Sequence, residues 1–112
     1  MKLFVTLSLI STCLLFTTCS KKPVGSPGEN EIWLEYKLFT PSQLVVKSGT
    51  TVMFTNKDNA NHSVTNINGL FDSGKITNSN TYSFTFTKTG SFSFYCKYHS
   101  SVNAEQGYIT VQ

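Results

Sequence analysis

The chain has 112 residues and a net charge of +3, which suits one small domain plus its termini. That charge rests on lysine alone; without guanidinium forks the chain is poorly equipped to read phosphates or base edges, and a nucleic-acid partner is excluded. Thr, Ser and Asn are abundant and Phe and Tyr frequent, a composition that favours strands and turns over helices.

The N-terminus reads as an export signal. Lys2 opens it, and Leu3–Phe16 is an apolar run broken only by Ser, Thr and Cys13, too short to span a bilayer comfortably. Residues 1–18 are therefore expected to be a signal peptide. Cys19, followed by Ser20, Lys21 and Lys22, resembles the acylated cysteine of a bacterial lipoprotein, although Thr18 stands where a smaller residue is more usual. Residues 19–29 contain two prolines and two glycines among polar residues and read as a flexible tether. The expectation is an exported protein, on the periplasmic or cell-surface side, tied to a membrane through lipid on Cys19. Its folded domain runs over residues 30–112.

Cysteine usage sharpens this. With Cys13 cleaved off and Cys19 lipidated, Cys96 is the only thiol of the mature domain, so no internal disulfide forms. A lone thiol outside the cytoplasm is prone to oxidation unless it is buried or bound. A histidine, His99, sits three residues further on.

The domain reads as successive strands. Ile32–Leu38 mixes apolar and polar β-formers, and Phe39–Gly49 places Pro41 ahead of a Leu-Val-Val strand and ends in a Ser-Gly turn. Thr50–Asn56 alternates, with Val52 and Phe54 on one face; Lys57–Asn61 is a turn cluster, His62–Ile67 a short strand and Asn68–Ile76 a loop. Thr81–Gly90 alternates strictly, with Tyr82, Phe84 and Phe86 in phase, and Ser91–Cys96 continues with Phe92 and Phe94. Gly107–Val111 closes the chain with Ile109 and Val111 facing in. Short strands between frequent turn signals predict an all-β antiparallel sandwich or barrel without helices. Trp33, Phe39, Phe54, Phe84, Phe86, Phe92 and Phe94 are expected in its core.

His62 and His99 are the only histidines. Loops at one end of a sandwich cluster, so the loop holding Cys96 and His99 is within reach of His62. Two imidazoles and one thiolate with a weak axial partner form the ligand set of blue-copper electron-transfer sites, whereas zinc prefers four firm ligands.

In order and spacing the domain resembles a cupredoxin of the plastocyanin, amicyanin and pseudoazurin type. The resemblance is carried by F-x-P-x-x-L-x-V at Phe39–Val46, G-T-T-V-x-F-T-N-K-D at Gly49–Asp58, N-H-S-V at Asn61–Val64, F-D-S-G at Phe71–Gly74, Y-C-x-x-H at Tyr95–His99 and G-x-I-x-V at Gly107–Val111. It implies a Greek-key β-sandwich holding one mononuclear copper that cycles between Cu(II) and Cu(I). His62, Cys96 and His99 match its three equatorial ligands. It implies a monomeric one-electron carrier, not an enzyme, that exchanges electrons with a redox protein partner. Copper handling or delivery is the alternative.

The fourth ligand departs from the family, which places a methionine two residues before the glycine opening the last strand; here that position is Glu105, and the chain's methionines are Met1 and Met53. Three options stay open. Glu105 shares strand parity with Ile109 and Val111. Gln106 has the precedent of glutamine as an axial ligand and needs a bulge to turn inward. The third is no axial side chain, with Val102 alongside. An oxygen ligand predicts a lower reduction potential than methionine. Ser63 is placed to orient the His62 loop, and Tyr98, Phe71 and Val102 are expected to form an apolar docking rim beside His99.

Overall fold

The computed structural model describes residues 25–112. The expected signal, Cys19 and the first part of the tether lie outside the described residues. Eight strands follow in chain order: β1 (Glu31–Glu35), β2 (Leu38–Thr40), β3 (Gln43–Val46), β4 (Thr50–Asn56), β5 (Thr65–Asn66), β6 (Thr81–Phe86), β7 (Gly90–Tyr95) and β8 (Gln106–Val111). The helical element among the described residues is one 3-10 turn, Lys97–His99.

Alternation builds the core. In β4, Val52, Phe54 and Asn56 are buried while Thr51 and Met53 face out; in β8, Ile109 and Val111 are buried between exposed or half-buried neighbours. A period of two puts such residues on one face of the sheet, and two sheets bury those faces against each other. The first sheet has the order β2-β1-β4-β6 and the second β3-β8-β7-β5. Both are mixed rather than purely antiparallel: β1 runs parallel to β4, and β3 runs parallel to β8. After β2 the chain crosses at Pro41–Ser42 into the second sheet as β3 and returns to the first as β4 beside β1, and β8 is laid beside β3. The sandwich and its Greek-key crossovers match the fold expected from the motifs.

Gly107 marks a close approach between these segments. Tyr108 N–H donates to the Ser42 carbonyl at 2.8 Å, and a Cβ on Gly107 would sit 2.2 Å from that same oxygen. No side chain fits there without moving backbone.

Three sequence expectations are corrected. Ile32–Leu38 is not one strand, since a turn at Tyr36–Lys37 folds β2 back on β1. The expected strand His62–Ile67 is ordered as a strand only at Thr65–Asn66; His62 forms an isolated bridge with Ile76. Trp33 is half-buried on the outer face, because Ile32 and Leu34 own the inner parity, and the Lys57 ammonium covers its ring at 4.6 Å from the centroid.

Aromatic rings connect the core to one end of the sandwich. Phe54 meets Phe94 edge-on at 5.5 Å, Phe94 stacks with Phe39 at 6.2 Å, and Phe39 meets the His62 imidazole edge-on at 5.7 Å. Each such pair contributes about 0.5–1.5 kcal/mol beyond area burial. The side chain of His62 is therefore set against a packed wall.

Candidate metal centre

Four segments converge at the end of the sandwich beyond Phe39. Cys96 leaves β7 and caps the 3-10 turn that carries His99. The chain then descends in steps of three: His99 N–H donates to Cys96 O, Val102 N–H to His99 O and Glu105 N–H to Val102 O. Cys96 N–H in turn donates to Glu105 O at 3.1 Å, closing the loop and setting Glu105 opposite Cys96. These turns carry the chain to Glu105, and β8 pairs with β7 without a bulge from Tyr95–Gln106 onward.

Register places the two candidates for the fourth ligand on opposite faces of the chain. Glu105 is buried and shares the inward parity of Ile109 and Val111; Gln106 is exposed and lines a surface groove with Leu38 and Tyr108. Gln106 is therefore not part of the cluster: the bulge it needs is absent from β8.

The four donor atoms lie within 4.8 Å of one another. Glu105 Oε1 stands 3.0 Å from His62 Nδ1 and 2.9 Å from His99 Nδ1, and Cys96 Sγ stands 3.8 Å and 3.5 Å from the same two nitrogens. His62, Cys96 and Glu105 are fully or almost fully buried, whereas the His99 side chain retains 23% exposure. Burial pushes the Cys96 thiol above its ordinary pKa, and the Glu105 carboxylate adds to this; backbone N–H groups of Ser63, Tyr98 and His99 act in the opposite direction.

Neighbouring groups fix the orientation. The Asp58 carboxylate lies 3.1 Å from His62 Nε2, so a proton on Nε2 satisfies Asp58 and leaves the Nδ1 lone pair facing the cluster. Asp58 is held by the turn it belongs to: Ala60 N–H donates to Asp58 Oδ1, and Asp58 N–H to the buried Asn56 Oδ1, each at 2.9 Å. Asn56 also donates to the carbonyls of Ala60 and Ile76, tying the whole His62 turn to β4. Ser63 Oγ accepts Lys97 N–H at 2.9 Å, so it joins the His62 segment to the Cys96 loop. That is a firmer role than local orientation of its own turn.

Two of the expected rim residues keep that description in part. Tyr98 is exposed and Val102 half-buried, but Phe71 is buried among Phe84 and Phe86 and belongs to the core. Tyr36 takes a rim place instead, exposed and edge-on to His99 at 5.5 Å.

A thiol, two imidazoles and a carboxylate converge at one end of a β-sandwich. This donor chemistry fits one copper ion: soft sulfur, imidazole nitrogen and one oxygen. Fold and cluster together define a mononuclear metal protein of the copper type. The chain belongs to the cupredoxin-like domain family, whose model matches residues 8–111. A purple cupredoxin from Nitrosopumilus maritimus is 25% identical and superposes with a TM-score of 0.66, over 73% of this chain and 98% of its own. A methionine-to-alanine variant of amicyanin in the Cu(I) state, 22% identical, shares the fold with a TM-score of 0.66 over 82% of this chain and 87% of its own. No curated protein sequence matches.

The sequence shows Asp58 only as the end of the Gly49–Asp58 motif and a member of a turn cluster four residues before His62, with no sign of its bond to the imidazole. Replacing it with alanine is expected to weaken copper binding about 10- to 100-fold, because His62 loses the partner that orients it. Competition with a chelator of known affinity measures this; unchanged affinity would show that packing on Phe39 alone orients the ring.

Proposed function

We propose that this protein is a one-electron carrier in which His62, Cys96, His99 and Glu105 hold one copper ion. The convergence of these four donor atoms within 4.8 Å carries this reading. A bound copper supplies one-electron exchange between Cu(II) and Cu(I). The protein supplies a fixed donor set: packed rings, three consecutive turns and the Asp58 carboxylate hold the ligands in place, so little moves when charge changes. Burial of His62, Cys96 and Glu105 keeps water out, and His99, the most exposed of the four, is the contact through which an electron enters or leaves.

The partner we propose is a redox protein that docks over His99 against the exposed rings of Tyr36 and Tyr98, with the Lys37 ammonium beside the Tyr36 ring adding a positive charge to the rim. The site carries out no turnover of its own. Copper delivery calls for an exposed, exchangeable set of donors, and the burial of three of the four favours the carrier. We further propose export and anchoring through lipid on Cys19, which keeps the domain beside membrane-bound partners; fractionation of a Cys19→Ala variant tests this, since it should leave the membrane.

Adding Cu(II) to the purified protein is expected to produce an intense thiolate-to-copper absorption in the visible. Cys96→Ser removes that band entirely while the fold persists. A protein that takes up no copper, or whose band survives loss of the thiol, overturns the proposal.

A further inference from the structure

The Tyr36–Lys37 turn faces the metal centre with its backbone. Its two successive amides both donate to carboxylates of that centre: Tyr36 N–H to Asp58 Oδ2, and Lys37 N–H to Glu105 Oε2 at 2.7 Å. The turn lies 68 residues before Glu105 in the sequence and belongs to the opposite sheet from β8. Lys37 sits at φ 66, a left-handed conformation that a side chain with a Cβ resists and that is retained where surrounding contacts favour it. Here the compensation is two hydrogen bonds to carboxylates, the stronger kind.

The consequence for Glu105 is a division of labour between its oxygens. Oε1 points at both imidazole Nδ1 atoms, and Oε2 is held by the Lys37 amide. Asp58 is divided in the same way: Oδ1 faces His62 Nε2 and Oδ2 accepts from Tyr36. Without the turn, Asp58 Oδ1 would keep the Ala60 amide while Oδ2 lost its donor, and Glu105, with Oε2 released, would be free to offer two oxygens or none.

We propose that the Tyr36–Lys37 turn is a positioning element of the metal centre: its paired amides make Glu105 a one-oxygen donor and lock Asp58 onto His62. This rests on the reading of the four residues as a metal site. The Lys37 ammonium has no part in it and lies over the Tyr36 ring, 5.2 Å from the centroid. The backbone N–H is the working group, so side-chain changes that preserve the turn are silent.

Hydrogen exchange on the full-length, metal-free chain tests the contact itself. The Lys37 amide is expected to be protected despite its exposed position. Glu105→Ala should speed its exchange about tenfold or more while the amides of β1 keep their protection. Unchanged exchange overturns the proposal. The copper-loaded protein tests the consequence. Lys37→Gly keeps the N–H and accepts a positive φ, and should leave the visible and electron-paramagnetic spectra of Cu(II) unaltered. Lys37→Pro removes the N–H and also excludes the positive φ, so it abolishes the turn as a whole; both spectra should shift away from those of the parent, and identical spectra overturn the proposal. Should Lys37→Pro fail to fold, the exchange result alone decides. Should the parent take up no copper, the functional reading fails, while the exchange result still stands or falls by itself.

Discussion

Exchanging Glu105 for glutamine is expected to raise the reduction potential of the copper-loaded protein by about 170 mV. Glutamine keeps the volume of the side chain and removes its charge. A buried carboxylate favours the more highly charged oxidised ion. Two unit charges about 4 Å apart at an effective dielectric of about 20 interact by about 4 kcal/mol, which corresponds to about 170 mV at about 2.3 kcal/mol per 100 mV. Glu105 is 1% exposed, so solvent screens little of this. Glu105→Met should move the potential in the same direction, since it also replaces a hard oxygen with a soft sulfur. Gln106→Leu is the control: its side chain is exposed on the far side of β8, and the potential should stay within a few tens of millivolts, well below the unit-charge effect. Protein-film voltammetry on the three variants reads the result. A potential that falls or stays put in Glu105→Gln, or that moves equally in Gln106→Leu, would remove Glu105 from the site.

The same residue shows what the sequence makes legible. Strand parity counted back from Ile109 and Val111 places Glu105 inward, and no bulge interrupts β8 to bring Gln106 round. Alternation in Thr50–Asn56, Thr81–Phe86 and Gly107–Val111 likewise foretells which residues are buried, because a strand inside a sandwich leaves its side chains only two directions. What alternation does not foretell is where the chain turns without turn residues. Tyr36 and Lys37 carry no glycine, asparagine or proline, so the β1–β2 turn has no local signature; it is held by contacts with Asp58 and Glu105, distant in sequence. Asp58 was hidden for a related reason. An aspartate in a turn cluster ordinarily caps neighbouring amides, as Asp58 does for Ala60, and only the folded chain shows its second bond to His62. Trp33 and Phe71 show size misleading in both directions. The larger ring is on the surface because parity and Lys57 keep it there, and the ring read as rim is buried because its loop folds over Phe84 and Phe86.

Truncating Phe94 to alanine is expected to destabilise the domain by about 3–5 kcal/mol, the range for emptying a buried phenylalanine site. Phe94 is 1% exposed and joins Phe54 in the first sheet to Phe39 beside His62. Domains of this size have a total stability of about 5–15 kcal/mol, so the loss is a large fraction of the whole. Thermal unfolding followed by circular dichroism should show a midpoint lowered by more than about 12 °C, at about 4–8 °C per kcal/mol for a domain of this length. Phe94→Leu retains most of the volume and should lose less than half as much. Copper bound by the folded state only should return stability to both variants, by about 2.7 kcal/mol where free copper exceeds the dissociation constant about 100-fold. The wall that supports His62 is the same set of rings that holds the sheets together, so a cavity at Phe94 loosens the imidazole as well as the core. Phe94→Ala should therefore bind copper more weakly than Phe94→Leu even at a temperature where both are folded. A midpoint within a few degrees of the parent, or equal copper affinity in the two variants, would show that the site is held by its own turns and not by the core beneath it.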